Sequence, residues 1–124
     1  MRVGTWMLAA TLCACGGGGV RSIEGNWQAT EQVNGGALSL SLNQEQGRVA
    51  GSGTYTTGAG RSGTLLVSGS SQSGVNVHLF WTYDVGDRAE YVATLSEADD
   101  RISGTLTTQS ASATQTQALA FLRQ

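Results

Sequence analysis

From Ile23 onward the chain alternates between apolar and polar residues. Leu38, Leu40 and Leu42 are separated by Ser39 and Ser41, and Val75, Val77, Leu79, Trp81 and Tyr83 are interleaved with Asn76, His78, Phe80 and Thr82. Tyr91, Ala93 and Leu95 alternate with Val92 and Thr94, and Ile102 and Leu106 keep step with Ser103 and Thr105. A period of two puts one greasy and one wet face on each segment, which predicts strands. No segment repeats apolar residues at spacings of three and four over helical length. Turn-forming clusters divide the strands at Asn34-Gly35-Gly36, Gln46-Gly47, Gly58-Ala59-Gly60, Ser70 to Gly74, Gly86-Asp87, Ala98-Asp99-Asp100 and Ser110-Ala111-Ser112. Seven turns predict eight strands, most economically joined as a meander of hairpins.

Composition supports the all-β reading: there is no proline, and Ser, Thr, Val, Leu and Tyr dominate the segments. Eight strands with one apolar face close most simply into an antiparallel up-and-down barrel, which removes the open edges of a sheet. A two-sheet β-sandwich is the competing architecture. A transmembrane barrel is disfavoured, because it needs an outward apolar band and aromatic girdles. Here one face of most strands is Ser, Thr, Asn or Gln.

The first residues change the picture from a bare domain to an exported one. Arg2 is followed by an apolar stretch from Val3 to Ala14, too short to cross a bilayer and matching signal-peptide grammar. Leu12-Cys13-Ala14-Cys15 resembles the lipobox of bacterial lipoproteins. That resemblance implies cleavage before Cys15 and attachment of diacylglycerol and a further acyl chain, such as palmitate, to that cysteine. Two or more chains anchor firmly where one binds marginally. An ordinary secretory signal cut near Ala14 is the alternative, and it would leave an odd free thiol. Gly16 to Gly19 follow as a flexible tether, and Gly16 in place of an aspartate favours the outer membrane by resemblance to sorted lipoproteins. The expected organisation is a signal peptide over 1–14, lipidated Cys15 and a Gly-rich tether over 15–22, and one β domain over 23–124.

Loss of Cys13 with the signal leaves Cys15 alone, so the domain must hold together by packing rather than by a disulfide. The formal net charge is −2, with seven basic residues against nine acidic ones and no basic cluster, which argues against a nucleic-acid partner. A weak internal echo relates Leu42 through Gly51 to Leu95 through Gly104. Tight hairpins with a glycine after the turn explain it as well as duplication does.

Gly25-Asn26-Trp27 opens the first strand and Leu122-Arg123-Gln124 closes the last. In this the chain resembles the calycins, the lipocalin and avidin group of small barrels. The resemblance implies that Arg123 packs over the Trp27 ring at the closed end, a cation over an indole face. Gly53-Thr54-Tyr55-Thr56-Thr57 and Trp81 on strand five resemble the avidin-like branch. Carried over, Tyr55 and Thr57 would hydrogen-bond a ligand carbonyl and Trp81 would form an apolar wall. The tryptophans that avidins carry late in the chain are missing, so the resemblance speaks to fold rather than to biotin.

An eight-stranded barrel has an interior just wide enough for side chains or one small ligand. Gly51, Gly53 and Gly104 lack side chains and could leave room, giving a candidate pocket of Tyr55, Thr57, Trp81 and Leu40 suited to a small apolar molecule. Core filling by the same residues is the alternative. His78, the one histidine, falls on the outer face and cannot build a zinc site alone. Asp84, Asp87, Asp99 and Asp100 sit at turns without calcium-loop spacing. No serine has a visible base. The sequence therefore predicts no catalytic residue, no metal and no cofactor. It predicts instead a membrane-anchored barrel that binds a small apolar ligand or short peptide, with an envelope protein-protein interaction module, built on a solid core, as the alternative.

Overall fold

The computed structural model describes residues 22–72 and 75–124. The expected signal peptide over 1–14, Cys15 and the glycine tether lie outside them.

The strands are β1 (Gly25–Ala29), β2 (Leu38–Glu45), β3 (Arg48–Thr56), β4 (Ser62–Gln72), β5 (Asn76–Tyr83), β6 (Arg88–Leu95), β7 (Arg101–Gln109) and β8 (Thr114–Arg123). Each pairs antiparallel with the next, and β8 returns to β1 through Trp27↔Arg123, Gln28↔Leu122 and Ala29↔Phe121, closing the barrel. Closure decides between the two expected architectures. A sandwich would leave β1 and β8 as edges, whereas here Thr30 N also donates to Ala120 O at 2.8 Å, extending the seam.

Alternation produces the interior directly. Leu38, Leu40 and Leu42 of β2, Leu65 and Val67 of β4, Val77, Leu79, Trp81 and Tyr83 of β5, and Tyr91 and Leu95 of β6 are all buried. Full burial of each such side chain contributes about 1.5–3 kcal/mol relative to exposure. Trp81, Tyr91 and Phe121 fill the middle, with ring centroids 6.0 Å (Trp81 to Tyr91), 6.4 Å (Trp81 to Phe121) and 5.3 Å (Tyr91 to Phe121) apart. The Tyr91 hydroxyl donates to Leu119 O at 2.7 Å, so this ring is fixed at its polar end as well. Burial holds its phenol well above the ordinary value.

The interior glycines do not make the room expected of them. A Cβ built on Gly51 would collide with the carbonyl oxygen of Ser41, on Gly53 with that of Ser39, and on Gly104 with that of Val92. The space is taken by the backbone of the neighbouring strand. These glycines are points of close backbone approach, not gaps in the filling of the barrel.

One turn also differs from expectation. Strand β4 runs on to Gln72, because Ser70 pairs with His78 and Ser71 with Val77, so Val75 lies in the turn rather than in β5. The echo between the two hairpins does not extend to register. Gly51 pairs with Leu42 across the Gln46–Gly47 turn, but Gly104 pairs with Ala93 across a longer connection, 96–100. Similar residues thus serve different hairpins.

Candidate functional site

The meander places the connections β1–β2, β3–β4, β5–β6 and β7–β8 at one end, the mouth. The chain entry and the remaining turns lie at the other, closed end. The mouth holds a cleft of about 120 Å³ lined by Asn34, Tyr55, Thr57, Arg61, Tyr83, Val85 and Asp87. Tyr55 is the penultimate residue of β3 and Tyr83 the last of β5, and both point inward because they keep the phase of Gly53 and Trp81. Their rings meet edge to face, with centroids 5.0 Å apart and planes at 83°.

The Tyr55 hydroxyl donates to Asp84 Oδ1 at 2.7 Å. Gly63 makes the seat for this pair: a Cβ there would stand 2.5 Å from Asp84 Oδ2 and 2.7 Å from the Tyr55 hydroxyl. The bond favours neutral phenol and charged carboxylate together, raising the Tyr55 pKa and lowering that of Asp84.

Tyr83 is different. Its hydroxyl is buried and has no hydrogen-bond partner, and neither has Trp81 Nε1 behind it. Burial pushes the Tyr83 phenol up. The Trp81 indole N–H pulls it part of the way back, and the charge of Asp87 raises it further. The indole is thus near enough for its N–H to be felt at the phenol oxygen without forming a well-shaped bond.

Part of the mouth is stoppered. In the β1–β2 connection, Asn34 and Gly35 take positive φ of 55° and 79°, making the tight turn of a miniature hairpin in which Val33 and Gly36 exchange backbone bonds of 2.9 and 3.1 Å. This turn tips Val33 into the buried cluster, although it belongs to no strand. The loop is held by Gly58 N to Asn34 O at 3.0 Å, Ala37 N to Thr56 Oγ1 at 2.9 Å and Gln117 Nε2 to Gln32 O at 3.2 Å.

The four residues expected to form one pocket therefore divide. Tyr55 and Thr57 line the mouth cleft. Trp81 lies beneath it in the aromatic filling, and Leu40 is buried against Gly53 and does not reach the cleft. Tyr83, Asp84 and Val33 carry the rest of the site and were not singled out from the sequence. Two signals pointed to them: the Asn34-Gly35 pair, which favours a two-residue hairpin turn, and an acidic residue directly after a strand ending in tyrosine.

At the closed end, the Arg123 guanidinium carbon stands 4.4 Å from the Trp27 ring centroid. Its nitrogens donate to the carbonyls of Ser22 (2.8 Å), Glu24 and Asp99 (2.8 Å). Trp27 Nε1 donates to Ile23 O at 2.8 Å, and Ile23 plugs this end. On the outer face, His78 Nε2 lies 2.6 Å from Glu90 Oε2, and its ring packs on Phe80 at 4.5 Å. Among the described residues no group of three or more His, Cys, Asp or Glu could hold a metal. What the cleft offers is aromatic surface, neutral hydroxyls and one cation beside one carboxylate, Arg61 and Asp87, a set suited to holding a small molecule.

No family model matches the chain, and no curated protein matches it. Among solved structures, the barrel is similar to EF1p2_mFAP2b bound to DFHBI, with a TM-score of 0.69 at 14% sequence identity, over 82% of this chain and 94% of that one. The likeness is one of fold, and that barrel was solved with a small molecule bound.

Proposed function

We propose that this protein is an exported lipoprotein, held in the cell envelope by lipid on Cys15 and most simply sited at the outer membrane, whose barrel binds one small, largely apolar molecule at the mouth and catalyses no reaction. One observation carries the binding reading: a cleft walled by the Tyr55 and Tyr83 rings lies over a buried donor pair with no partners. Its volume of about 120 Å³ is close to the ~150 Å³ cavity that takes a benzene ring. That suits a single-ring ligand rather than a drug-sized one. The resemblance to calycins and the small molecule bound in the similarly folded barrel support the same reading.

The anchoring half rests on the lipobox and is tested separately. Cys15→Ser should move the protein from the membrane to the soluble fraction, and a variant that stays on the membrane sinks the lipid anchor. For the binding half, native mass spectrometry of protein purified from envelopes should show a co-purifying molecule below about 300 Da, lost in Tyr55→Ala with the fold intact. A mass spectrum of protein alone, together with no thermal shift across single-ring aromatics, would rule out the pocket.

One observation favours a second reading, a protein-binding module. Leu66, Phe80 and Val92 lie on the outer face at diagonal positions of β4, β5 and β6 and are 73%, 45% and 54% exposed. Apolar residues grouped in this way mark interaction surfaces. Pull-down that fails with Phe80→Ser but not with Tyr55→Ala would favour this reading over the first.

A further inference from the structure

We infer that the mouth ligand carries a neutral hydrogen-bond acceptor, of the carbonyl type, that receives the Tyr83 phenolic proton. The inference rests on the ligand-binding reading above and deepens it. Tyr83 lines the cleft, is 6% exposed, and has a buried hydroxyl without a partner. Buried hydroxyls are paired in the great majority of cases, and leaving one unmade is costly. A phenylalanine would fill the same volume beside Tyr55 with no such cost. The hydroxyl is therefore explained by something that joins it.

The surroundings define what joins. Trp81 Nε1 also has no partner, so the buried pair supplies N–H and O–H donors, and only the phenol oxygen itself can accept. The neighbouring carboxylate of Asp84 is already engaged by Tyr55 at 2.7 Å. Asp87 acts on Tyr83 through its charge, and its side chain makes no hydrogen bond to the phenol. No side chain among the described residues takes the phenolic proton, so a ligand that enters past the cleft lining is the candidate acceptor. In the lining of the cleft the charges of Arg61 and Asp87 offset one another, and the Asp84 carboxylate beside them is held by Tyr55, so the cleft offers an anion no net attraction. A neutral carbonyl on a ring seated against the paired Tyr55 and Tyr83 rings satisfies the donor and matches the volume.

The test uses the Cys15→Ser full chain, whose barrel is unaltered, and two probes of the same shape. Acetophenone carries a carbonyl oxygen where α-methylstyrene carries a methylene. Ligand-observed NMR titration should give about tenfold tighter binding for acetophenone. Tyr83→Phe should erase that preference while leaving α-methylstyrene binding unchanged, with near-ultraviolet circular dichroism showing an intact core. Trp81→Phe should reduce the preference without erasing it. Equal affinity in the parent protein, or a preference that survives in Tyr83→Phe, overturns the inference and leaves the apolar pocket standing. Binding of neither probe overturns both.

Discussion

Arg123 lies over Trp27 at 4.4 Å and at the same time ties down the carbonyls of Ser22, Glu24 and Asp99. One side chain thereby joins the last strand, the chain entry and the β6–β7 connection where the barrel must close. Arg123→Ala should cost about 2–4 kcal/mol, from the lost cation–π contact and three lost hydrogen bonds. Arg123→Lys should recover less than about 1 kcal/mol, because an ammonium cannot reproduce the planar fork. Urea denaturation followed by tryptophan fluorescence measures both. Equal stability of Arg123→Ala and the parent would show that closure does not depend on this residue.

Gly104→Ala should be far worse than an ordinary glycine substitution. Its Cβ would enter the space of Val92 O, which is backbone and cannot step aside, so a loss of more than about 2 kcal/mol or failure to fold is expected. Gly86→Ala is the control. It has positive φ (97°) but nothing within 4 Å, so only the backbone cost of about 1 kcal/mol applies. Comparable losses at both sites would contradict the close backbone approach at Gly104.

The Tyr55–Asp84 bond predicts two pH limits. Asp84 titrates below its ordinary value when folded, so its stabilisation is fully present above that value, near pH 4, and is lost as pH falls through the lowered one. Tyr55 titrates above its ordinary value of 10.0, so its stabilisation is present below pH 10 and disappears as pH rises through the raised value. Tyr55→Phe removes both arms. The stability difference between parent and variant should hold from about pH 5 to 9 and shrink towards either extreme. A difference constant from pH 2 to 6 would show that the bond does not couple to Asp84 ionisation.

Val33→Gly should loosen the mouth alone. Loss of a buried side chain from a loop should cost about 1–3 kcal/mol, with faster amide exchange at Val33 and Gly36. The indole N–H of Trp27, bonded to Ile23 O at the opposite end, should keep its protection. Uniformly faster exchange at both ends would instead mean that the loop is part of the global folding unit.

The closed eight-stranded meander was legible in the sequence because alternation and turn chemistry are local signals, and β2, β5 and β6 show one greasy face plainly. The calycin resemblance placed Trp27 and Arg123 on the first and last strands, where a sequence separation of almost the whole chain hides any local sign of contact. The mouth was less legible. Whether Gly51, Gly53 and Gly104 leave space or admit backbone depends on how tightly the strands coil, which no single strand's pattern encodes. Trp81 and Tyr83 share a face and a strand, and only their depth along the barrel separates a filling residue from a cleft wall. The entry of Val33 into the core depends on a turn inside a loop, outside any alternation.

The clamp at Ser22 and Glu24 also fixes where the chain enters the barrel. The chain enters the barrel at the end opposite Tyr55 and Tyr83, pinned there by Arg123. Under the proposed lipid anchor, the tether would join the barrel at its base, opposite the rim that holds the cleft.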